Sequence, residues 1–339
     1  PDYTQAFNNI GVIYREIGEF EKAKNAFFNA IKQEPTHSNS HFNLGKLFEV
    51  TGELDKAVDS YTKAYKIDSK FSEAYVSRLH LLANMADFKA FTEFDKVKDK
   101  IGIKGQCITP FSLLFAEDNP LNQHLRSINY AKKTFDKAKL KNVKPKRINS
   151  KRISIAYFSA DFHDHPVSYL LSRVLELHDR DHFEIHAFSY GIGKNDYMRS
   201  RIIKSVDFFH DVRNVDDDKI INEVNNFNID IAIDLTGYTN NSRSELFSKR
   251  LAPIQINFLG FPSTMGANFM DYMIVDKIVI NEKFEEYYSE KFIYMPHSFM
   301  PTDNTRKISK KKINKRQFGL PDSSFVLCCF NNNYKIDPT

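Results

Sequence analysis

A 34-residue period at the front of the chain constrains its fold more than any other feature. Shifting the first segment by 34 residues puts Gly11 on Gly45, Tyr14 on Phe48, Gly18 on Gly52, Ala23 on Ala57, Phe27 on Tyr61 and Ala30 on Ala64. Small residues recur where paired helices must approach closely, aromatic residues fill the gaps between them, and Pro35 stops the first unit after its second helix. Six matches in one register argue against two unrelated amphipathic hairpins. The next copy is degenerate: Leu79 stands where Gly is expected, Phe91 where Ala is expected and Asp95 where the aromatic belongs, as in a terminal capping unit. Stable stacks need about three repeats, and the chain opens inside one, so further units are expected before Pro1.

Period and positions match the tetratricopeptide pattern, an α solenoid whose concave surface receives extended peptides. At 339 residues the chain has room for more than that solenoid. Its 42% hydrophobic and 27% charged content is that of folded protein, and 48 Lys+Arg against 43 Asp+Glu leave a mild +5 that does not argue for nucleic acid. No apolar run approaches the roughly 20 residues that span a bilayer, and PDYTQAFNNI lacks a signal-peptide pattern. Cys107, Cys328 and Cys329 form neither a disulfide framework nor a metal spacing. Together these predict a cytoplasmic protein with no membrane or nucleic-acid partner.

Residues 71–140 read as further helices, with a polar amphipathic stretch from Leu121 to Leu140. The run 137–152 carries eight basic residues and no acidic one; it reads as a solvated linker, with a phosphate-binding patch as the alternative. After Lys151 the period becomes strand-like, at 153–158, 183–190, 229–235, 254–259, 272–276 and 292–295. Helical patterns lie between most of these, at Val167–Leu177, Asp196–Lys204, Asp216–Phe227 and Ser242–Lys249. Such alternation builds a parallel sheet wrapped by helices, with ligands at the carboxyl ends of its strands.

The first strand runs into SADFHDHPVSYLL, where Asp161, His163, Asp164 and His165 crowd a turn and Pro166 suits the first turn of a helix. A carboxylate and an imidazole here could handle protons or hold a sugar hydroxyl, or one of them could cap the helix. The HxH spacing invites a metal, but no third ligand is near in sequence. The 229–235 strand ends in TGYTNNSR, with Gly237, Tyr238, Thr239 and Asn240; the 254–259 strand ends in LGFPSTMG, with Gly260, Pro262 and Gly266. Three polar or Gly-rich loops after three strands suggest one cleft. Neither GxGxxG after the first strand nor GxxxxGK[ST] anywhere is present, so a nicotinamide fingerprint and a P-loop are unsupported. His297 reads as packing or surface. Residues 306–316 form a second basic linker, followed by a strand at Phe325–Phe330, a turn ending in Tyr334 and Lys335, and a helix start at Asp337-Pro338. A Lys at a strand end can clamp an anion.

These residues resemble the tetratricopeptide-bearing protein O-GlcNAc transferases, especially bacterial ones. The resemblance rests on SADFHDHPVSYL, DLTGYTNNSRSELF, APIQINFLGFPSTMGA followed by MDY, YSEKFIYMPHSF and GLPDSSFVLCCFNNNYKIDPT, in the family's order. It implies a GT-B glycosyltransferase: two Rossmann-like lobes facing a cleft, a UDP-GlcNAc donor held mainly by the second lobe, no metal, and a protein Ser or Thr as acceptor. The implied domains are repeats at 1–103, a helical connector and basic linker at 104–150, the first catalytic lobe at 151–304, and a linker with the start of the second lobe at 305–339. By resemblance, Asp161 shuttles protons, and His165 with Pro166 lines the sugar and acceptor site. Tyr238 and Thr239 belong to a second active-site loop, and Leu259, Gly260 and Pro262 to the rim near the sugar. Tyr334 and Lys335 contact the donor, the Lys neutralising the diphosphate. The stretch 109–115, TPFSLLF, lacks a His found in animal members, and Asn332 replaces their Gln. With the second lobe only begun, residues 1–339 alone are expected neither to bind the donor tightly nor to turn over. Two alternatives are transfer of fucose from GDP, as in Spindly-type relatives, and a non-catalytic tetratricopeptide adaptor.

Overall fold

The computed structural model describes residues 3–135, 151–321 and 323–336. They divide into two compact units, Pro1–Lys133 with Asn332–Thr339, and Thr134–Asn331.

The first unit opens with three helical hairpins: α1 (Tyr3–Glu16) with α2 (Phe20–Gln33), α3 (Ser38–Val50) with α4 (Leu54–Ile67), and α5 (Ser72–Asn84) with α6 (Lys89–Phe94). The repeated glycines do two different jobs. A Cβ on Gly11 would lie 2.5 Å from the Phe27 ring, and one on Gly45 2.7 Å from the Tyr61 ring. The ring of each second helix therefore rests on bare backbone of the first. Gly18 and Gly52 have open space around them but φ of +80° and +79°, the left-handed conformation that ends the first helix of each hairpin. In the third hairpin Leu79 fills the glycine's place and Asp95 supplies no ring. Here α6 runs for only 6 residues, and Leu79 packs instead with Phe94, Ile101, Ile108 and Leu113. A later helix, α7 (Pro120–Phe135), is tied to the segment that follows this hairpin by the buried Arg126. Its Nε donates to Ile101 O at 3.0 Å, Nη2 to Lys98 O at 2.6 Å, and Nη1 pairs with Glu117.

The second unit is one parallel sheet of seven strands in the order β3-β2-β1-β4-β5-β6-β7. Along the chain these run β1 (Ile153–Ser159), α8 (Pro166–Leu177), β2 (Phe183–Ser189), α9 (Tyr197–Lys204), β3 (Phe208–Asp211), α10 (Asp217–Phe227), β4 (Ile231–Asp234), α11 (Glu245–Ser248), β5 (Ile254–Asn257), β6 (Tyr272–Val275) and β7 (Lys291–Tyr294). Alternation divides each central strand between two layers. Ile155, Tyr157, Ile185, Ala187, Ile233 and Ile256 pack with Val167, Leu171 and Leu175 of α8, while Phe158 and Phe188 stack on the opposite face with centroids 4.7 Å apart. Chain order reverses between β1 and β4, so the crevice at their carboxyl ends is the place this topology reserves for a ligand.

Four sequence expectations are corrected or bounded. β3 was not expected; its four residues, FFHD, form an edge strand too short to alternate. The helix expected over Ser242–Lys249 shrinks to one turn, because the Ser242 hydroxyl accepts from Ser244 N at 3.2 Å and competes with helical pairing. No strand forms over Phe325–Phe330: Phe325, Leu327 and Phe330 are 89%, 86% and 97% exposed, and the described residues offer that segment no neighbouring strand to pair with. Residues 137–150 of the first basic run and the helix start at Asp337-Pro338 lie outside the described residues. The second basic run is exposed throughout. No helix among the described residues is long and apolar enough to cross a membrane.

Candidate active site

At the end of β1 the chain turns through Ala160–His165 into α8, and backbone bonding holds this turn from several sides. Asp161 N donates to Ser159 Oγ at 2.9 Å, Ala160 N to Thr236 Oγ1 at 3.2 Å, and Asp164 N to Asp196 Oδ2 at 2.8 Å. His165 is the N-cap of α8, its Nδ1 accepting from Val167 N at 3.4 Å, and Pro166 follows in the first turn. The capping reading of the sequence thus holds for Nδ1. The neutral ring then carries its proton on Nε2.

Asp161 Oδ2 lies 3.7 Å from His165 Nδ1, near enough for charge to be felt and too far for a hydrogen bond. Burial pushes the Asp161 carboxyl up and the His165 imidazole down, and each opposes the other's shift. The two proton affinities are drawn toward one another, which suits a pair that passes a proton through a bound hydroxyl. His163 stacks on His165 with centroids 5.7 Å apart. Among the described residues no group of three or more His, Cys, Asp or Glu side chains is placed to hold a metal ion.

The loop after β4 is organised by Asp234, a residue the sequence reading passed over. Only 1% exposed, its Oδ1 accepts from Thr236 N and Gly237 N, both at 2.9 Å, and Oδ2 accepts from Ser244 Oγ at 3.3 Å. Burial raises its carboxyl, against those three bonds. Thr239 Oγ1 donates to Thr236 O at 2.9 Å and stays half-buried. Tyr238 is 1% exposed and packs against Phe261 at 5.4 Å, so its ring supports the loop instead of facing an open rim.

After β5, Leu259 adopts φ +73° within a tight turn in which Gly260 N donates to Phe258 O at 2.9 Å. A non-glycine residue in that conformation is strained, and such strain concentrates at functional rims. A Cβ on Gly260 would sit 1.9 Å from Leu235 O, so this loop lies directly on the loop after β4. Pro262 is exposed beside it.

Two further residues complete the rim. Buried Tyr190, after β2, meets the Thr236 side chain, and burial, then the Asp234 charge, push its hydroxyl far up. Arg199 of α9 donates to Phe162 O at 3.3 Å, Ser189 Oγ at 3.0 Å and Asp211 Oδ2 at 2.8 Å, clamping the β1 loop to the ends of β2 and β3. A carboxylate at the end of an apolar strand, in the run Asp-Leu-Thr-Gly, was a usable signal for Asp234; Arg199 gave none.

One unit therefore gathers Asp161, His165, Pro166, Thr239, Leu259, Gly260 and Pro262 on the loops after β1, β4 and β5. Tyr334 and Lys335 belong to the helical unit, in a short 3₁₀ turn at Asn333–Lys335, with Lys335 exposed. His297 is exposed.

The sequence pattern of glycosyl transferase family 41 matches residues 123–316, and that of the tetratricopeptide repeat matches 4–37 and 38–71. An Arabidopsis thaliana protein named as probable UDP-N-acetylglucosamine–peptide N-acetylglucosaminyltransferase SEC is 36% identical over 193 residues, covering 56% of this chain and 20% of that protein. A Caenorhabditis elegans UDP-N-acetylglucosamine–peptide N-acetylglucosaminyltransferase is 32% identical over 194 residues, covering 56% and 17%. A solved mutant of Thermobaculum terrenum O-GlcNAc transferase shares the fold, with TM-score 0.70 at 20% identity over 99% of this chain and 64% of that one. The chain spans about a fifth of the length of these curated relatives.

Proposed function

Because the chain belongs to glycosyl transferase family 41, we propose that the whole protein transfers N-acetylglucosamine from UDP-GlcNAc to Ser or Thr hydroxyls of other proteins. The observation that carries this reading is the Asp161–His165 pair at the end of β1, beside the point where strand order reverses. In transfer, the acceptor oxygen bonds to the anomeric carbon as the bond from that carbon to the diphosphate breaks, and the electron pair leaves with UDP. The acceptor proton must go to a nearby base. Asp161, raised by burial, binds that proton more firmly than an ordinary carboxylate would. The His165 Nε2 proton is available to a sugar or acceptor oxygen. Lys335 neutralises charge on the departing diphosphate, a role that needs no metal. The tetratricopeptide repeats receive the acceptor protein, and a cytoplasmic location accords with three free cysteines.

The test is Asp161→Asn in the whole protein, with transfer of radiolabelled N-acetylglucosamine to a Ser/Thr peptide as the readout. Transfer should fall by about 10²- to 10⁴-fold, the usual contribution of a positioned acid or base, with the melting temperature unchanged. A variant that keeps its rate within a few-fold would remove Asp161 from the chemistry.

A further inference from the structure

The third hairpin departs from the repeat, and the chain's own Tyr334 packs with its Phe91 against the same buried residues, Leu82, Ala83 and Ala90. Ala23 and Ala57, fully buried between their helices, are replaced in register by Phe91, which is half-buried and turns its ring to Phe115 at 5.9 Å. Phe115 meets His80 of α5 edge-on at 5.5 Å. Tyr334 packs on His80 at 5.1 Å and on Phe115 at 6.5 Å. One polar contact fixes the register of the seat. Asn84 closes α5, where backbone carbonyls lack helical partners, and its O accepts from Asn333 Nδ2 at 3.1 Å. The Asn84 side chain lies 3.2 Å from His80 Nδ1, holding the imidazole against the tyrosine.

We propose that His80, Phe91 and Phe115 form a seat for Tyr334 whose purpose is to position the neighbouring Lys335. This rests on the reading above, in which Lys335 faces the donor diphosphate. Adjacent Cα atoms are about 3.8 Å apart, so a seated Tyr334 leaves the Lys335 backbone little freedom. His80 and Phe115 are positioning residues on this account: they touch neither sugar nor nucleotide and act through the backbone they hold.

The experiment has two arms. In this chain, the His80 ring signals in carbon–proton NMR should shift between the parent and Tyr334→Ala, because a stacked aromatic ring is removed; unmoved signals would overturn the seat. In the whole protein, Phe115→Ala should raise the KM for UDP-GlcNAc about tenfold, with kcat within twofold and the melting temperature held, while Phe115→Tyr restores the ring and the parent KM. A purely structural residue would lower the melting temperature without that split. If Lys335→Ala abolishes transfer while Phe115→Ala leaves the donor KM unchanged, the positioning inference fails alone. If Lys335→Ala has no effect on transfer, the donor role of Lys335 fails, and the inference falls with it.

Discussion

Both units use glycine to bring chain segments into contact, but what each glycine touches differs. In the helical unit the missing side chain makes room for a ring, Phe27 over Gly11 and Tyr61 over Gly45. In the sheet unit it makes room for backbone: a Cβ on Gly260 would lie 1.9 Å from Leu235 O, and one on Gly191 1.8 Å from Ala160 O. A ring can yield by rotating about χ angles. A carbonyl beside the sheet ladder cannot, since Leu235 N is itself bound to Phe158 O at 3.0 Å. The repeat can therefore drift in sequence, as its third copy does, while the rim that carries the candidate site has no such latitude.

Alanine at one glycine of each kind tests this directly. Gly260→Ala should cost at least about 3 kcal/mol in urea denaturation, because strand ends must separate to admit the methyl. Gly45→Ala should cost only about 1 kcal/mol, since overpacking of about 2 kcal/mol is partly offset by the better helix propensity of alanine. Equal losses would break the contrast between ring and backbone contacts.

Buried imidazoles sharpen the comparison further. In the sheet unit His210 Nε2 lies 3.2 Å from His186 Nδ1, with Glu223 3.3 Å from His210 and Glu184 3.1 Å from His186. Burial, then repulsion from His186, lowers His210 to about 4. Its folded value is below its unfolded one, so the unfolded chain takes up the proton first. Stability is full above about pH 6.5 and falls as pH drops toward 4. Raised carboxylates at Asp234 and Glu290 act the opposite way, so the readout is the difference between variant and parent. His210→Phe fits a position already stacked on Phe188 at 4.3 Å, and should remove on the order of 2 kcal/mol of the acid loss between pH 7 and 4. Parallel pH profiles for the two proteins would exclude this source of acid sensitivity.

What could be read from sequence follows the same division. The hairpins were legible because their signals recur within 34 residues, and six strands were legible because apolar runs are local. Arg199 looked like a basic residue on a helix, since its partners at Phe162, Ser189 and Asp211 are brought to it only by the parallel crossovers. Tyr238 looked like a polar group on a rim, and the Phe261 contact that buries it comes from a different loop. For Phe325–Phe330 the pattern was strand-like, but a strand is made by its neighbours. Local pattern located the Asp161–His165 turn; the network holding it is non-local.

The smallest expected effect lies in the hairpin turns and asks whether the third copy is still a repeat in its backbone. Asp87 N donates to Leu82 O at 2.9 Å, just as Glu19 N and Glu53 N donate to Tyr14 O and Phe48 O at 2.8 Å, so all three first helices end in the same motif. At the left-handed position two copies have glycine and the third has Ala86, at φ 57°. An alanine there bears about 1 kcal/mol of steric strain, whereas glycine loses more chain entropy on folding. Ala86 is exposed, so its methyl contributes no packing. Ala86→Gly should then stabilise the helical unit by about 0.5 kcal/mol, and Gly52→Ala, with nothing within 4 Å of its added methyl, should destabilise it by a similar amount. Opposite and comparable shifts in urea midpoint would mean the degenerate copy has kept the turn and changed only its packing. A loss of stability in Ala86→Gly would mean that this turn no longer answers to the rule of the other two.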